Sequence, residues 1–254
     1  MTGSLTFCEE ILVLLLNDER GTLASIQGTN LDCVLAGAAL MDLAFAGRID
    51  TDPERLFVVD RAPTGNLLLD PVLATIAARE ETANTLAWLR ALAAEDAGRI
   101  REQALVLLVR RGMLERREGS FNAVFARWPE AQGRRHKRNA GNARARRRAG
   151  RRIERRVRDA LLSDGIPDSR DIALIGLIDA CGLLGEAVPE GDAGRLRPRV
   201  AQLRRLDLIG RVLARAVSEI ERGVARSVAA DVTGRTADGP RTGISLSATP
   251  GAAR

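Results

Sequence analysis

The chain has no tyrosine, and its five phenylalanines and two tryptophans make up only 3% of 254 residues. Few aromatics beside abundant Leu, Ala and Arg favour helices over sheets. There is one histidine, His136, inside a basic stretch and without a second ligand at metal spacing. That excludes a Ser-His-Asp arrangement and leaves no metal site to assign. Lysine is almost missing: Lys137 is the exception among 39 basic residues, a bias expected of a GC-rich bacterial genome, so the arginine count alone carries little weight. Three cysteines, Cys8, Cys33 and Cys181, are odd in number and widely spaced, so they read as small buried hydrophobes in a reducing compartment. No GxxxxGK, GxSxG or HExxH pattern occurs, and no pair of carboxylates stands out. The sequence therefore supports neither an enzyme nor a cofactor. Met1 is followed by neither a basic nor a signal-type apolar segment, so a secreted protein is not expected.

What is present is a 45% hydrophobic composition, enough for a sizeable core, and a net charge of +6 that is unevenly placed. Between Arg134 and Arg158, twelve arginines and Lys137 stand against Glu154 alone, a local +12, so the rest of the chain carries −6. An acidic body with one concentrated cationic segment points to a polyanionic partner, either nucleic acid or an anionic membrane surface.

In chain order, Thr6 and Glu9 have capping-box spacing ahead of ILVLLL, a run that fits a buried helix turn or a short strand. The stretch Leu31 to Ile49 is apolar on nearly all sides and reads as a buried helix. Asp32 and Asp42 break its approach to the ~20 apolar residues of a membrane span. Thr29 and Asn30 offer N-caps, and Gly47 a left-handed stop that leaves Arg48 near the negative helix end. An extended segment is expected over 55–60, a turn at Pro63-Thr64-Gly65, and a helix from Asp70 as N-cap and Pro71 as first residue. Helices follow over 81–94, with Thr82 as cap, and over 97–111, closed by Gly112.

Residues 113–130 read as a hairpin around Glu118-Gly119-Ser120, carrying Phe121, Phe125 and Trp128 among arginines. The rings either pack on the preceding helix or enter a membrane interface while arginines hold headgroups. The Gly-, Asn- and Arg-rich segment that follows suits a self-repelling loop, with a helix from Arg151 through Ile153, Val157 and Leu161. Its expected polyanion contacts are Arg134, Arg135, Lys137, Arg138, Arg146, Arg147, Arg148, Arg151 and Arg152. DSRDIALIGLIDACGLLGEAV is a second apolar helix capped by Asp168 or Ser169. A turn over 189–194 and amphipathic helices over 195–228 follow, and from about Ala230 to Arg254 the composition predicts a disordered tail.

Four segments in this order, EEILVLLLNDERGTL, AGAALMDLAFAGRI, DRAPTGNLLLDPVL and DIALIGLIDACGLLGEAV, together with LVRRGML, resemble the Golgi phosphoprotein 3 family, bacterial members included. The resemblance spans residues 4–228, with 134–152 as an Arg-rich insertion. It implies a mostly helical single domain: a central bundle of apolar helices, amphipathic helices around it and one β-hairpin. It further implies a peripheral membrane protein on the inner face of the cell membrane, with anionic lipid as partner and membrane proteins as clients. Eukaryotic relatives hold phosphatidylinositol 4-phosphate in a pocket of one tryptophan and three arginines. Those positions fall here near Gln27, at Ala36, near Gly98 and at Arg101, with Arg99 and Arg48 close in the pattern. The expected headgroup ligands are thus Arg101, Arg99 and Arg48, and the expected insertion point is Phe121, Phe125 and Trp128. The competing partner is nucleic acid, with helix, Gly112 and hairpin forming a winged-helix module and 134–158 its phosphate-binding arm.

Overall fold

Thr6 decides the first element. In the computed structural model its hydroxyl accepts from the Glu9 N–H at 3.2 Å while Glu9 receives the Thr6 N–H at 2.8 Å, a complete capping box. The ambiguous apolar run is therefore helix α1 (Phe7–Leu15), buried along its whole length. The structure describes residues 4–16, 28–52, 54–79, 83–114, 134–188 and 192–207, with 209, 211, 212 and 215. The side chains of 28–30, 134–143, 186, 187 and 193 are outside that description.

Helix α2 (Gly28–Phe45) is the central element, packing on its neighbours on every side because every side is apolar. From Leu31 to Leu43 all its apolar residues are buried. It starts at Gly28, ahead of the expected caps Thr29 and Asn30, since a helix once nucleated extends at little further cost. Gly47 ends it as expected, with φ +66° and the Arg48 N–H reaching back to the Leu43 carbonyl at 3.0 Å. Ile49 then opens strand β1 (Ile49–Thr51), antiparallel to β2 (Leu56–Val58) with Asp50 opposite Phe57. Asp52 closes this hairpin by accepting the Glu54 and Arg55 N–H groups at 2.8 Å each.

Helix α3 (Leu69–Ala78) begins one residue before the expected cap. Asp70 does not cap it because its carboxylate is already committed: it accepts from the Thr64 N–H at 2.7 Å, the Thr64 hydroxyl at 2.6 Å and the Gly65 N–H at 3.1 Å. Helix α4 (Thr85–Glu95) is capped by Asn84 rather than Thr82, the Asn84 side chain accepting the Ala87 N–H at 2.9 Å. Trp88, Leu89 and Leu92 form its buried stripe. Helix α5 (Ala97–Arg110) buries Ile100, Ala104, Leu105 and Leu108 against α1, α2 and α4, and stops at Gly112 with φ +69°.

The largest correction concerns the basic segment. Helix α6 runs from Arg134 to Leu162, so the expected loop over 134–150 is helical. Arginine and alanine are strong helix formers, and the downstream turns are held by Ile153, Val157, Ala160 and Leu161 docked in the core. Asp168 caps α7 (Ser169–Ala180) through the Arg170 N–H at 2.8 Å. Helices α8 (Leu184–Ala187) and α9 (Asp192–Arg204) complete the described fold, with Asp192 to Gly194 helical where a turn was expected. Asp192 begins α9 and so places a carboxylate at the positive helix end.

One continuous apolar core takes residues from all of these helices and from both strands, which makes the protein mostly helical. No helix among the described residues is long and apolar enough to cross a membrane. The hairpin expected over 113–130 lies, from residue 115 on, outside the described residues, as do the tail and most of 208–228.

Candidate functional site

The three arginines expected to share a headgroup go to three different places. Arg101, on α5, pairs with Asp32 in the first turns of α2. Arg99 lies two positions earlier, hence on nearly the opposite face of the same helix. It donates to Asp96 at 2.5 Å and to Thr75 of α3 at 3.3 Å. Arg48 lies beyond the other end of α2 and donates to Asp60 at 2.7 Å and to the Pro63 carbonyl at 3.5 Å. At ~1.5 Å per residue, about 20 Å of helix axis separates Asp32, the partner of Arg101, from the end of α2 beyond which Arg48 lies. Ala36, another of the positions expected to correspond to the relatives' pocket, is fully buried. Phe121, Phe125 and Trp128 lie outside the described residues.

A second set of charges is internal. Glu9, Glu10 and Asp42 are buried acids where α1 meets α2. Arg111 closes on Glu9 at 2.6 Å, and Arg156 of α6 donates to Glu10 at 2.8 Å and also reaches Asp171 of α7. Arg170 sits 3.6 Å from both Glu10 and Asp42, with its guanidinium 4.0 Å from the centre of the Phe7 ring. Asp42 also accepts the Phe7 N–H at 2.8 Å. Burial outweighs these partners: it pushes Asp42 up to about 7, against the lowering effects of Arg170 and the Phe7 N–H, and it raises Glu10 despite Arg156. The three acids are buried, their arginine partners are half-buried, and together they join five segments, which makes them structural. The three thiols are likewise free and buried, and burial raises each one, so none is a ready thiolate.

The surface feature that remains is the outer side of α6. Arg144, Arg147, Arg148, Arg151, Arg152, Arg155 and Arg158 are all exposed. At ~100° per residue they fall within an arc of about 140°, and they run for about 21 Å along the axis. Ile153, Val157, Ala160 and Leu161 occupy the opposite face and hold the helix on the body. Among the described residues, only Arg158 of these seven meets a carboxylate, its neighbour Asp159 at 3.6 Å. The result is a straight cationic ridge on a fixed support.

Four of the expected polyanion contacts, Arg147, Arg148, Arg151 and Arg152, stand on this ridge. Arg146 does not: it turns inward, its Nε is buried without a hydrogen-bond partner, and burial lowers its pKa, with Arg147 adding to the effect. Of Arg134, Arg135, Lys137 and Arg138 only the helical backbone is described. Arg144, Arg155 and Arg158 were missed as site residues, although their spacing of 3, 4 and 7 from the other arginines marks one helix face.

The model of the family described as Golgi phosphoprotein 3 matches residues 7–220. The chain belongs to the Golgi phosphoprotein 3 family. The match begins at α1 and extends past α9, so it takes in the central α2, the buried charge network and the ridge-bearing α6. Of the positions expected to correspond to the relatives' pocket, Ala36 is buried and Arg101 is matched by Asp32, whereas the ridge arginines other than Arg158 meet no carboxylate among the described residues.

Proposed function

We propose that this protein is a peripheral membrane protein that lays the arginine ridge of α6 on anionic phospholipid headgroups. One observation carries the reading: seven exposed arginines on one helix face, with Asp159 as the only paired carboxylate among the described residues. Each such residue near an anionic surface contributes about 1 kcal/mol, so a few of them hold a protein at a bilayer without a headgroup-specific pocket. Recognition is by charge density rather than by the shape of one headgroup, because Arg101 is already matched by Asp32 and Arg48 and Arg99 lie elsewhere. The cytoplasmic leaflet of the cell membrane, where anionic lipid faces the cell interior, is the corresponding location.

The winged-helix alternative has less support, and its wing would lie outside the described residues. Helix α5 would have to be the recognition helix, yet it packs against α1, α2 and α4 and buries Ile100, Ala104, Leu105 and Leu108.

Vesicle flotation tests the reading. Binding is expected to phosphatidylglycerol-containing vesicles at ~50 mM salt, to weaken strongly by ~500 mM, and to vanish on pure phosphatidylcholine. Equal flotation on neutral and anionic vesicles would refute recognition of charge. Duplex DNA run in parallel separates the lipid surface from phosphate in general.

A further inference from the structure

We infer that Leu162 and Ile166, at the C-terminal end of the ridge, form an apolar insertion point that enters the acyl region of the membrane while α6 lies parallel to its surface. The inference rests on the membrane reading above and adds to it an orientation and a second kind of contact.

Leu161 and Leu162 have opposite fates. Leu161 continues the stripe of Ile153 and Val157 into the core and is 3% exposed, whereas Leu162, rotated by ~100°, is 60% exposed. That rotation puts Leu162 on the same line along the helix as Arg144, Arg151 and Arg155, so the cationic face ends in a leucine. Ile166 follows in the link to α7 and is 81% exposed.

The link is held in shape. Arg199 of α9 donates to the Ser163 carbonyl at 3.0 Å and to the Gly165 carbonyl, the Ser163 N–H returns to Asp159 at 3.0 Å, and Gly165 N–H meets the Ser163 hydroxyl at 3.2 Å. Pro167 and the α7 cap Asp168 fix the exit. Ile166 is thus presented by an anchored backbone.

A single exposed leucine or isoleucine is ordinary on a protein surface. Leu162 in line with the cationic ridge, and Ile166 four residues on in the anchored link, are the arrangement an interface requires: guanidinium groups at headgroup depth, extended on their apolar stems, and short apolar side chains beneath. Asp159, Asp164 and Asp168 are the acids at this end; Asp159 meets Arg158 and Asp168 is engaged as a helix cap, and the ridge exceeds all three in charge. A nucleic acid gains nothing from Ile166, since a phosphate backbone has no apolar phase, and the described ridge carries no aromatic ring to stack on bases.

The test uses the full chain. The three native cysteines are buried, so an environment-sensitive fluorophore on Ile166→Cys or Leu162→Cys labels that position alone. Arg195→Cys on α9, with a side chain 85% exposed, is the control. On phosphatidylglycerol vesicles the labels at 162 and 166 are expected to shift to the blue and be quenched by acyl-chain spin labels, while the label at 195 stays aqueous. Leu162→Ser/Ile166→Ser is expected to weaken vesicle partitioning about 10- to 100-fold. Tight vesicle binding with aqueous labels and an unaffected serine variant overturns the insertion and leaves the surface reading standing. Failure to bind anionic vesicles at low salt, with DNA bound instead and indifferent to both serines, overturns the two together.

Discussion

Arg156 donates to Glu10 at 2.8 Å across 146 positions of sequence, and it ties the ridge helix α6 to the first helix of the fold. Glu10 is almost wholly buried, so this contact compensates a carboxylate that water cannot reach. Arg156→Met is expected to destabilise the protein by about 3 kcal/mol, because it leaves a buried charge with Arg170 as a more distant partner. Glu10→Gln in the same chain should recover part of that loss. Urea unfolding of the two single variants and the double variant measures the coupling, and strictly additive effects would show that the pair is not a unit.

The same acids set the direction of the pH dependence. Asp42 rises from 3.8 to about 7 on folding and Glu10 rises as well, so between the unfolded and folded values the native state holds more protons than the unfolded one. Stability then falls as pH rises from about 4 through about 7 and levels off above, a loss on the order of a few kcal/mol for Asp42. Asp42→Asn keeps an oxygen for the Phe7 N–H and should flatten that slope, with its largest stabilisation near pH 8. Thermal unfolding across this range checks it; an identical slope in the variant would mean that other groups titrate there.

Part of this fold was legible because its signals are local. The Thr6 and Glu9 capping box, the Asp168 cap and the left-handed stops at Gly47 and Gly112 depend on residues within one or two turns, and each lies where the pattern put it. Asp70 was misassigned because its side chain answers to Thr64 and Gly65, donors on the upstream side that a cap rule does not weigh. Segment 134–150 reads as a loop on charge repulsion alone, but the helix propensity of Arg and Ala and the docking of Ile153 and Val157 downstream outweigh that repulsion. The buried network was invisible for a different reason: Arg111 and Glu9 are 102 positions apart, and Arg170 and Asp42 come within 3.6 Å only through tertiary packing. For the site, the sequence located the charge but not its direction, and Arg146 turns inward among neighbours that face out.

A matched pair gives a membrane little to hold. Arg101→Gln should therefore leave binding to anionic vesicles within about twofold of the parent, since Asp32 already offsets that charge. Asp32→Asn leaves Arg101 unmatched but on α5 rather than on the ridge, so binding should again change by no more than about twofold. Titration of both variants with phosphatidylglycerol vesicles decides the matter: a loss in Arg101→Gln as large as that of a ridge variant would return the headgroup site to α5.

Neutralising the ridge separates its role from that of the fold beneath it. Arg147, Arg151 and Arg155 are exposed, lie on one face of α6 and pair with no carboxylate among the described residues, so replacing all three by Gln removes charge without opening the core. Glutamine preserves helix propensity, and surface changes of this kind alter stability by about 0.5 kcal/mol or less each. Three lost contacts at about 1 kcal/mol each should weaken binding to anionic vesicles on the order of 100-fold, and should also reduce its dependence on salt. Arg195→Gln, at an exposed arginine on α9 that pairs with Asp192 at 3.7 Å, should change binding far less. Flotation of the triple variant beside this control, with unfolding curves for both, distinguishes a ridge-specific contact from the effect of net charge. Equal losses in the triple variant and in a triple set drawn from other exposed arginines would mean that the whole surface, rather than α6, carries the attraction.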